Sequence, residues 1–419
     1  MNHFSGFSEL IYNYIKNMEP YLAVDFEEID LVEKANEVVI LGKKFTKEDG
    51  VFNYLCYQKV KEFVRSRLWM TYRKDFTKIG GTGPSSDQGW GCMLRCGQML
   101  LAQAIVDIKL GKDWIWDPNT SANDQNYIKI LNLFQDDKTS NYSIHQIAQM
   151  GVSEGKNVGE WLGPNTVSQV LKKLVFYDDW SNIRVHVAMD NVLIHDDVKK
   201  VATVQRDDQN EWKNLLIIIP LRLGLTSINR DYIPAIKMFY ELKQCAGIIG
   251  GRPNRALYFI GMADEEMLYL DPHICQPVID INEQMEAVDV KDNGSLNEKF
   301  DENDGVKVDI EEPTSSSLLI NDASFHCDCV AHMDYEQMDP SLALAFVCKD
   351  KPDYDDLTKN LETVLKASLP PLFEMLSERP KGWPKFVPYT GVESSFNFKE
   401  YTDFGDPNMD SDDEFEVLS

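Results

Sequence analysis

Apolar positions along the chain recur with two periods, and the switches between them predict its organisation. Residues 1–35 form an N-terminal extension of uncertain order, and Val38-Val39-Ile40-Leu41-Gly42 opens the core. Helical spacing predicts helices at 51–67, 93–110, 124–135, 143–150, 165–176, 230–243 and 355–367. Short apolar runs predict strands at 183–189, 214–222, 256–262, 267–271 and 341–348. In the 93–110 stretch, Leu94, Leu101, Ile105 and Ile108 recur at helical spacing with Met99, Leu100 and Val106 between them. A helix greasy on most sides is predicted to be buried. No internal repeat is present. Interspersed helices and strands with a late cluster of strands predict an α/β (α+β) fold, a mainly antiparallel sheet packed on the helix that follows residue 92.

Composition narrows the class. With 419 residues, 43% apolar and 11% aromatic, the chain can bury a large globular core. No segment approaches the roughly 18 to 20 continuous apolar residues of a membrane span, and the N-terminus carries acids where a secretory signal has a basic stretch. A cytoplasmic location is therefore expected, with the eight cysteines reduced. The net charge of −26 argues against nucleic acid and against adhesion to anionic membrane, and for basic partners. The acids are concentrated. Residues 286–312 hold ten acids and three lysines with little apolar periodicity, and from Glu400 onward every charge is negative. Both stretches read as solvated: an insertion in the globular region 36–398, and a tail at 399–419.

Chemistry concentrates in Asp87-Gln88-Gly89-Trp90-Gly91-Cys92-Met93-Leu94-Arg95-Cys96-Gly97-Gln98, where a glycine-rich loop becomes the buried helix. Cys92 falls at the first turn. Free N–H groups and the positive end of the helix dipole stabilise an anion there and lower a thiol pKa. The same backbone can donate to a developing oxyanion. A small apolar cysteine capping a core helix is the competing reading. The strand ending at Leu270 runs into Asp271-Pro272-His273, and residues two apart in extended chain project to one side. An orienting carboxylate and a base on one strand end, with a helix-start cysteine elsewhere, are the parts of a Cys-His-Asp triad.

Further segments carry a resemblance. Thr71-Tyr72-Arg73-Lys74, Ile79 to Pro84 running into Gly89 to Gln98, Trp161 to Val167, Pro220 to Gly224, Gly250-Gly251-Arg252-Pro253-Asn254 and Leu270 to His273 closely resemble the autophagins, the cysteine proteases of autophagy, in order across most of residues 36–350. The resemblance implies a papain-like fold with a small auxiliary lobe. It implies hydrolysis of ubiquitin-like autophagy modifiers after a C-terminal glycine, both in the precursor and in the form conjugated to phosphatidylethanolamine. By matching positions, Cys92 is the nucleophile, His273 the general base, Asp271 its orienter, and Tyr72 an oxyanion donor beside the Cys92 N–H. Trp161 with Gly251, Arg252, Pro253 and Asn254 is the gate over the groove. The gate has a physical rationale: a tail ending in glycine has no side chain to recognise, so a slot too narrow for a Cβ selects it. By itself, and without the resemblance, Trp161 reads rather as a staple for the helix that follows it. No cofactor or metal is called for, and a monomer acting transiently at autophagic membranes is expected.

Other constellations carry candidate chemistry. His326-Cys327-Asp328-Cys329 with Cys275 and His332 has soft-metal ligands, but Cys-x-Cys is tighter than zinc-site spacing and no second pair stands at a suitable distance. Cys96 lies four residues beyond Cys92, away from the helix start, and reads as core-packed; a thiol redox role would need Cys-x-x-Cys spacing. In the tail, Asp412-Asp413-Glu414-Phe415-Glu416-Val417-Leu418 is acids followed by aromatic-x-x-aliphatic, the pattern of a short peptide that adds a strand to such modifiers through Phe415 and Leu418. Asp25 to Ile29 fits the pattern too.

Overall fold

The structure is a computed structural model that describes residues 37–46, 54–206, 209–281 and 321–391 together with Leu31 and Ala35. The acidic insertion at 286–312, the tail with Phe415 and Leu418, and the Asp25 to Ile29 pattern lie outside these residues.

The described chain begins with β1 (Val38–Ile40), β2 (Lys43–Phe45), α1 (Tyr54–Arg65), β3 (Tyr72–Lys74), α2 (Cys92–Lys109), α3 (Gln125–Leu133), α4 (Ile144–Val152) and α5 (Pro164–Leu174). It continues with β4 (Ile183–Val187), β5 (Val192–Ile194), α6 (His195–Ala202), β6 (Thr203–Arg206), β7 (Gln209–Trp212), β8 (Asn214–Arg222) and α7 (Ile233–Glu241). Then follow β9 (Cys245–Arg252), β10 (Arg255–Ala263), β11 (Glu266–Leu270), β12 (Cys275–Pro277), β13 (Ala331–Asp334), β14 (Ser341–Cys348), α8 (Lys351–Val364) and β15 (Glu374–Leu376).

The central sheet runs β13-β11-β10-β9-β14-β8-β4, with β1 beside the far half of β10 and β2 on β1. Its pairs are antiparallel except β4 with β8. Alternation along the strands feeds two cores. From β8, Leu216 and Ile218 enter the cluster around α2, while Leu215, Ile217 and Ile219 enter a second cluster with α7 and α8. Because both faces are covered, the strands read as continuous apolar runs rather than as apolar-polar alternation. α2 is buried from Cys92 to Asp107, as its all-round apolar surface predicts. The small elements β5, α6, β6, β7 and β15 cluster beside β4, with Leu193, Val198 and Ala202 reaching into the second core.

Each predicted element forms, with boundaries shifted by a few residues. The segment predicted at 230–243 enters through a short 3₁₀ turn, and its α-helix begins at Ile233, with Pro234 in the first turn. α8 begins four residues earlier than predicted, because Asp350 accepts the Asp353 N–H at 2.8 Å and Pro352 suits a first turn. The additions are β9, α6 and the short strands β2, β3, β5, β6, β7, β12, β13 and β15.

Candidate active site

The start of α2 is held by buried charge. The Asp87 carbonyl accepts the Trp90 and Gly91 N–H groups at 3.2 and 2.8 Å, which closes the turn. Its carboxylate sits where a side chain at residue 91 would be: a Cβ there would lie 2.2 Å from Asp87 Oδ2, so the position needs glycine. Arg95, 1% exposed, binds that carboxylate through Nε at 2.8 Å and Nη2 at 3.0 Å, and spans to Asp136 through Nη1 at 2.8 Å. Asp87 Oδ1 also accepts the Arg73 N–H at 2.7 Å, which ties the strand carrying Tyr72 to the same point. Gly91 contributes no side-chain cap. Cys92 therefore begins an 18-residue helix, at the end where the helix dipole favours an anion.

The partner groups come from the other end of the chain. β11 delivers Asp271, whose carbonyl is pinned by the Trp69 indole N–H at 2.8 Å. Asp271 Oδ1 accepts the His273 backbone N–H at 3.0 Å and His273 Nδ1–H at 2.5 Å, while Oδ2 accepts from Arg255 Nη2 at 2.8 Å. With Nδ1 committed to the carboxylate, Nε2 is left, buried and without a hydrogen bond of its own. Tyr72 stands beside the imidazole, ring edge to ring face at 5.4 Å. The β3–β12 pairing, Tyr72 opposite Cys275, and the Tyr72 N–H on the Pro272 carbonyl at 2.9 Å hold it there.

Charge is shared across these groups. Burial disfavours a Cys92 thiolate, but His273, the Ala256 backbone N–H and the Tyr72 hydroxyl outweigh it, and the thiol pKa is lowered. Burial likewise opposes a charged His273, yet Asp271 and then Cys92 raise its pKa to about 9. Asp271 is penalised by burial, but the His273 contacts and Arg255 keep it below the usual carboxylate range. Burial and the neighbouring Cys92 charge push Tyr72 well up, so it remains a neutral O–H donor. The two shifts are opposite in sense, and both favour a thiolate–imidazolium pair over the neutral one. Cys96 is the opposite case, fully buried with its thiol pushed well above the ordinary value by desolvation.

The remaining predicted residues fall in two places. Arg252 pairs with Arg255 across a two-residue turn, so Pro253 and Asn254 form the exposed tip of the β9–β10 hairpin. Asn254 has φ +63°, which suits a type II turn with proline before it. Gly251, one of the expected gate residues, is in β9 opposite Ala256, whose N–H acts on the Cys92 sulfur. The hairpin thus rises from the thiol, and its tip stands roughly 7–10 Å beyond by strand rise. Trp161 is 49% exposed and lies along the face of Gly163, while Leu162 is buried against the core. Leu162, not Trp161, takes the core position before α5.

The metal-like cluster is engaged otherwise. His326 stacks on Trp116 with centroids 3.9 Å apart, donates Nδ1–H to the Arg65 carbonyl at 2.8 Å and meets the Tyr127 hydroxyl through Nε2 at 2.7 Å. Asp328 pairs with Arg65 at 2.9 Å. Among the described residues no group of three or more metal-ligating side chains converges.

Sequence reasoning missed Asp87, Arg95, Asp136 and Arg73 as the frame of the site, and the Ala256 N–H as a donor. A signal for Arg95 was present, since a charge inside a helix apolar all round has to be paired.

Comparison with known proteins identifies the family. Residues 57–360 match the peptidase C54 catalytic domain, a span that contains Tyr72, Cys92, Asp271 and His273. The chain belongs to the peptidase C54 family. It is an autophagy-related cysteine protease with a papain-like fold. It is 38% identical to cysteine protease ATG4A of Xenopus laevis, with 98% of this chain and 99% of the relative aligned. Identity to ATG4A of Homo sapiens is 39%, covering 86% and 89%. Identity to ATG4B of Gallus gallus is 39%, covering 95% and 98%. Among the described residues of this C54 protease, no helix is long and apolar enough to cross a membrane.

Proposed function

We propose that this C54 protease cleaves ubiquitin-like autophagy modifiers after their C-terminal glycine, maturing the precursor and releasing the modifier from phosphatidylethanolamine. The observation that carries the reading is the pairing of a helix-start thiol, lowered in pKa, with an imidazole raised to about 9 and oriented by Asp271. Cys92 Sγ attacks the glycine carbonyl carbon. The carbonyl oxygen becomes an oxyanion, which the Cys92 N–H and the Tyr72 hydroxyl receive. The imidazolium of His273 gives its Nε2 proton to the departing amine, and a thioester to the modifier remains. Water, deprotonated by His273, then attacks the thioester and releases the carboxylate and the thiolate. The same steps serve a peptide amine and the ethanolamine amine of a lipid.

Selectivity for glycine is the proposed role of Trp161 and of Gly251 to Asn254. The support is that the hairpin shares Ala256 with the thiol's surroundings and that the Trp161 indole is exposed rather than used as a core residue. Phe415 and Leu418 are proposed to engage a second surface of the modifier, which raises its effective concentration. The whole chain acts as a monomer in the cytoplasm. The test is incubation of the purified chain with a modifier bearing residues beyond its terminal glycine, followed by mass measurement. A product ending at that glycine is expected, with the same modifier released from vesicles carrying the phosphatidylethanolamine conjugate. Tight binding with no mass change would make the chain a docking scaffold, and cleavage elsewhere would refute the proposed specificity.

A further inference from the structure

On a chain of net charge −26, one cleft is cationic. It has a volume of about 740 Å³ and lies between α5, β4, the α6–β6 stretch and the segment Phe386–Tyr389. Lys172, Arg184 and Lys200 line it, while the lining acid Glu154 is already paired with Lys173 at 2.8 Å. Arg184 lies over the Phe176 ring and has no carboxylate partner among the described residues. Lys200 has Asp197 at 3.5 Å, but that carboxylate is 1% exposed and is held by Arg379 at 2.7 Å. His186, 4% exposed, lines the cleft with an Nδ1 that makes no hydrogen bond. Burial, then the charges of Lys172 and Arg379, pushes its pKa down to about 3, so it is a neutral group in a positive field.

Two further features say what shape of ligand fits. β4 ends the sheet. The Ala188 N–H bonds the Ile218 carbonyl, so in the strand's alternation Val185 and Val187 turn their backbone groups away from β8, and neither finds a backbone partner among the described residues. Beside that edge, Phe176, Met189 and Val387 form an exposed apolar rim. An extended peptide with acids next to apolar side chains matches all three: backbone edge, cations and rim.

We propose that this cleft docks the chain's own C-terminal tail, residues 400–419, as an added strand along β4. Charge selects it, because from Glu400 onward every charge is negative and the acids of Asp412 to Glu414 adjoin Phe415 and Leu418. Connectivity selects it too. The chain passes through the cleft at Phe386–Tyr389, and 20 residues lie between Gly391 and Asp412. A random coil of that length would span about 25 Å root mean square, enough reach for an effective concentration on the order of millimolar. Docking occupies Phe415 and Leu418, so the tail is offered to a second partner only in competition with the cleft. The inference does not depend on the proteolytic reading, and its test involves no catalysis.

A fluorescently labelled peptide of residues 400–419 is titrated, by anisotropy, onto the full chain and onto a chain ending at Gly391, which keeps every element described above. The truncated chain should bind the peptide roughly tenfold or more tightly, since no tethered competitor is present. Rising salt should weaken binding, and Arg184→Glu with Lys200→Glu should abolish it. Lys200→Glu alone, at a half-exposed position, should weaken it severalfold with an unchanged Tm, which separates loss of the site from loss of the fold. Equal affinity for full and truncated chains, indifference to charge reversal, or no binding would each overturn the proposal. So would binding of phosphatidylserine vesicles through Arg184 and Lys200 in the absence of peptide binding, which would make a membrane the occupant.

Discussion

Asp271→Asn tests the electrostatics of the site directly. His273 is raised from 6.5 to about 9 against the opposing effect of burial, with the Asp271 contact at 2.5 Å the largest favourable cause and Cys92 the next. A shift of that size corresponds to roughly 3 kcal/mol favouring the imidazolium. Asparagine keeps the shape and removes the charge, so the part owed to Asp271, about 1–2 pH units, should disappear. The sign follows from the active form. Thiolate with imidazolium exists above the lowered Cys92 pKa and below that of His273, so wild-type kcat/KM should fall as pH rises through about 9. In Asp271→Asn this alkaline limb should move toward neutrality. The acid limb should rise, because a less basic imidazole stabilises the thiolate less. At pH 7.5, kcat/KM should drop roughly 100-fold or more, since asparagine can also hold the wrong tautomer. The assay is a pH series of precursor cleavage alongside the iodoacetamide rate at Cys92. An alkaline limb still near 9, or a loss of less than about threefold, would refute the coupling.

Arg95→Met leaves Asp87 and Asp136 buried without their cation, and urea unfolding should show a loss of about 3–5 kcal/mol; a change under about 1 kcal/mol would mean the network frames nothing. Cys92→Ala should abolish cleavage while Cys96→Ser keeps most of it, and iodoacetamide at pH 7 should label Cys92 first, because burial holds the Cys96 thiol protonated. Faster labelling of Cys96 would show the thiols were assigned in the wrong order. Deleting residues 412–419 should raise KM severalfold with kcat nearly unchanged, the more so on membrane-conjugated modifier; a fall in kcat at constant KM would place the tail in the chemistry.

What the sequence determined by itself is what depends on neighbours along the chain. Helical apolar spacing from Leu94 to Ile108 was enough to predict a buried helix, and a loop of glycines before Cys92 was enough to put a thiol at its start. Asp271 and His273 share a strand end, so their pairing was legible from a spacing of two. Only the tertiary structure decided the rest, because those contacts join residues far apart in sequence. Nothing local in Cys245-Ala-Gly-Ile-Ile-Gly-Gly-Arg signals a central strand, since glycine is a poor strand former. It works there because a Cβ at Gly247, at φ +90°, would lie 2.7 Å from the Phe259 carbonyl and from the Tyr258 ring, a requirement set by the neighbouring strand. The Ala256 N–H on the Cys92 sulfur joins positions 164 apart, and Arg95 to Asp136 spans 41. The exposure of Trp161 was undetermined for the same reason, since whether an indole staples a helix or stands free depends on whether Leu162 has taken the core position.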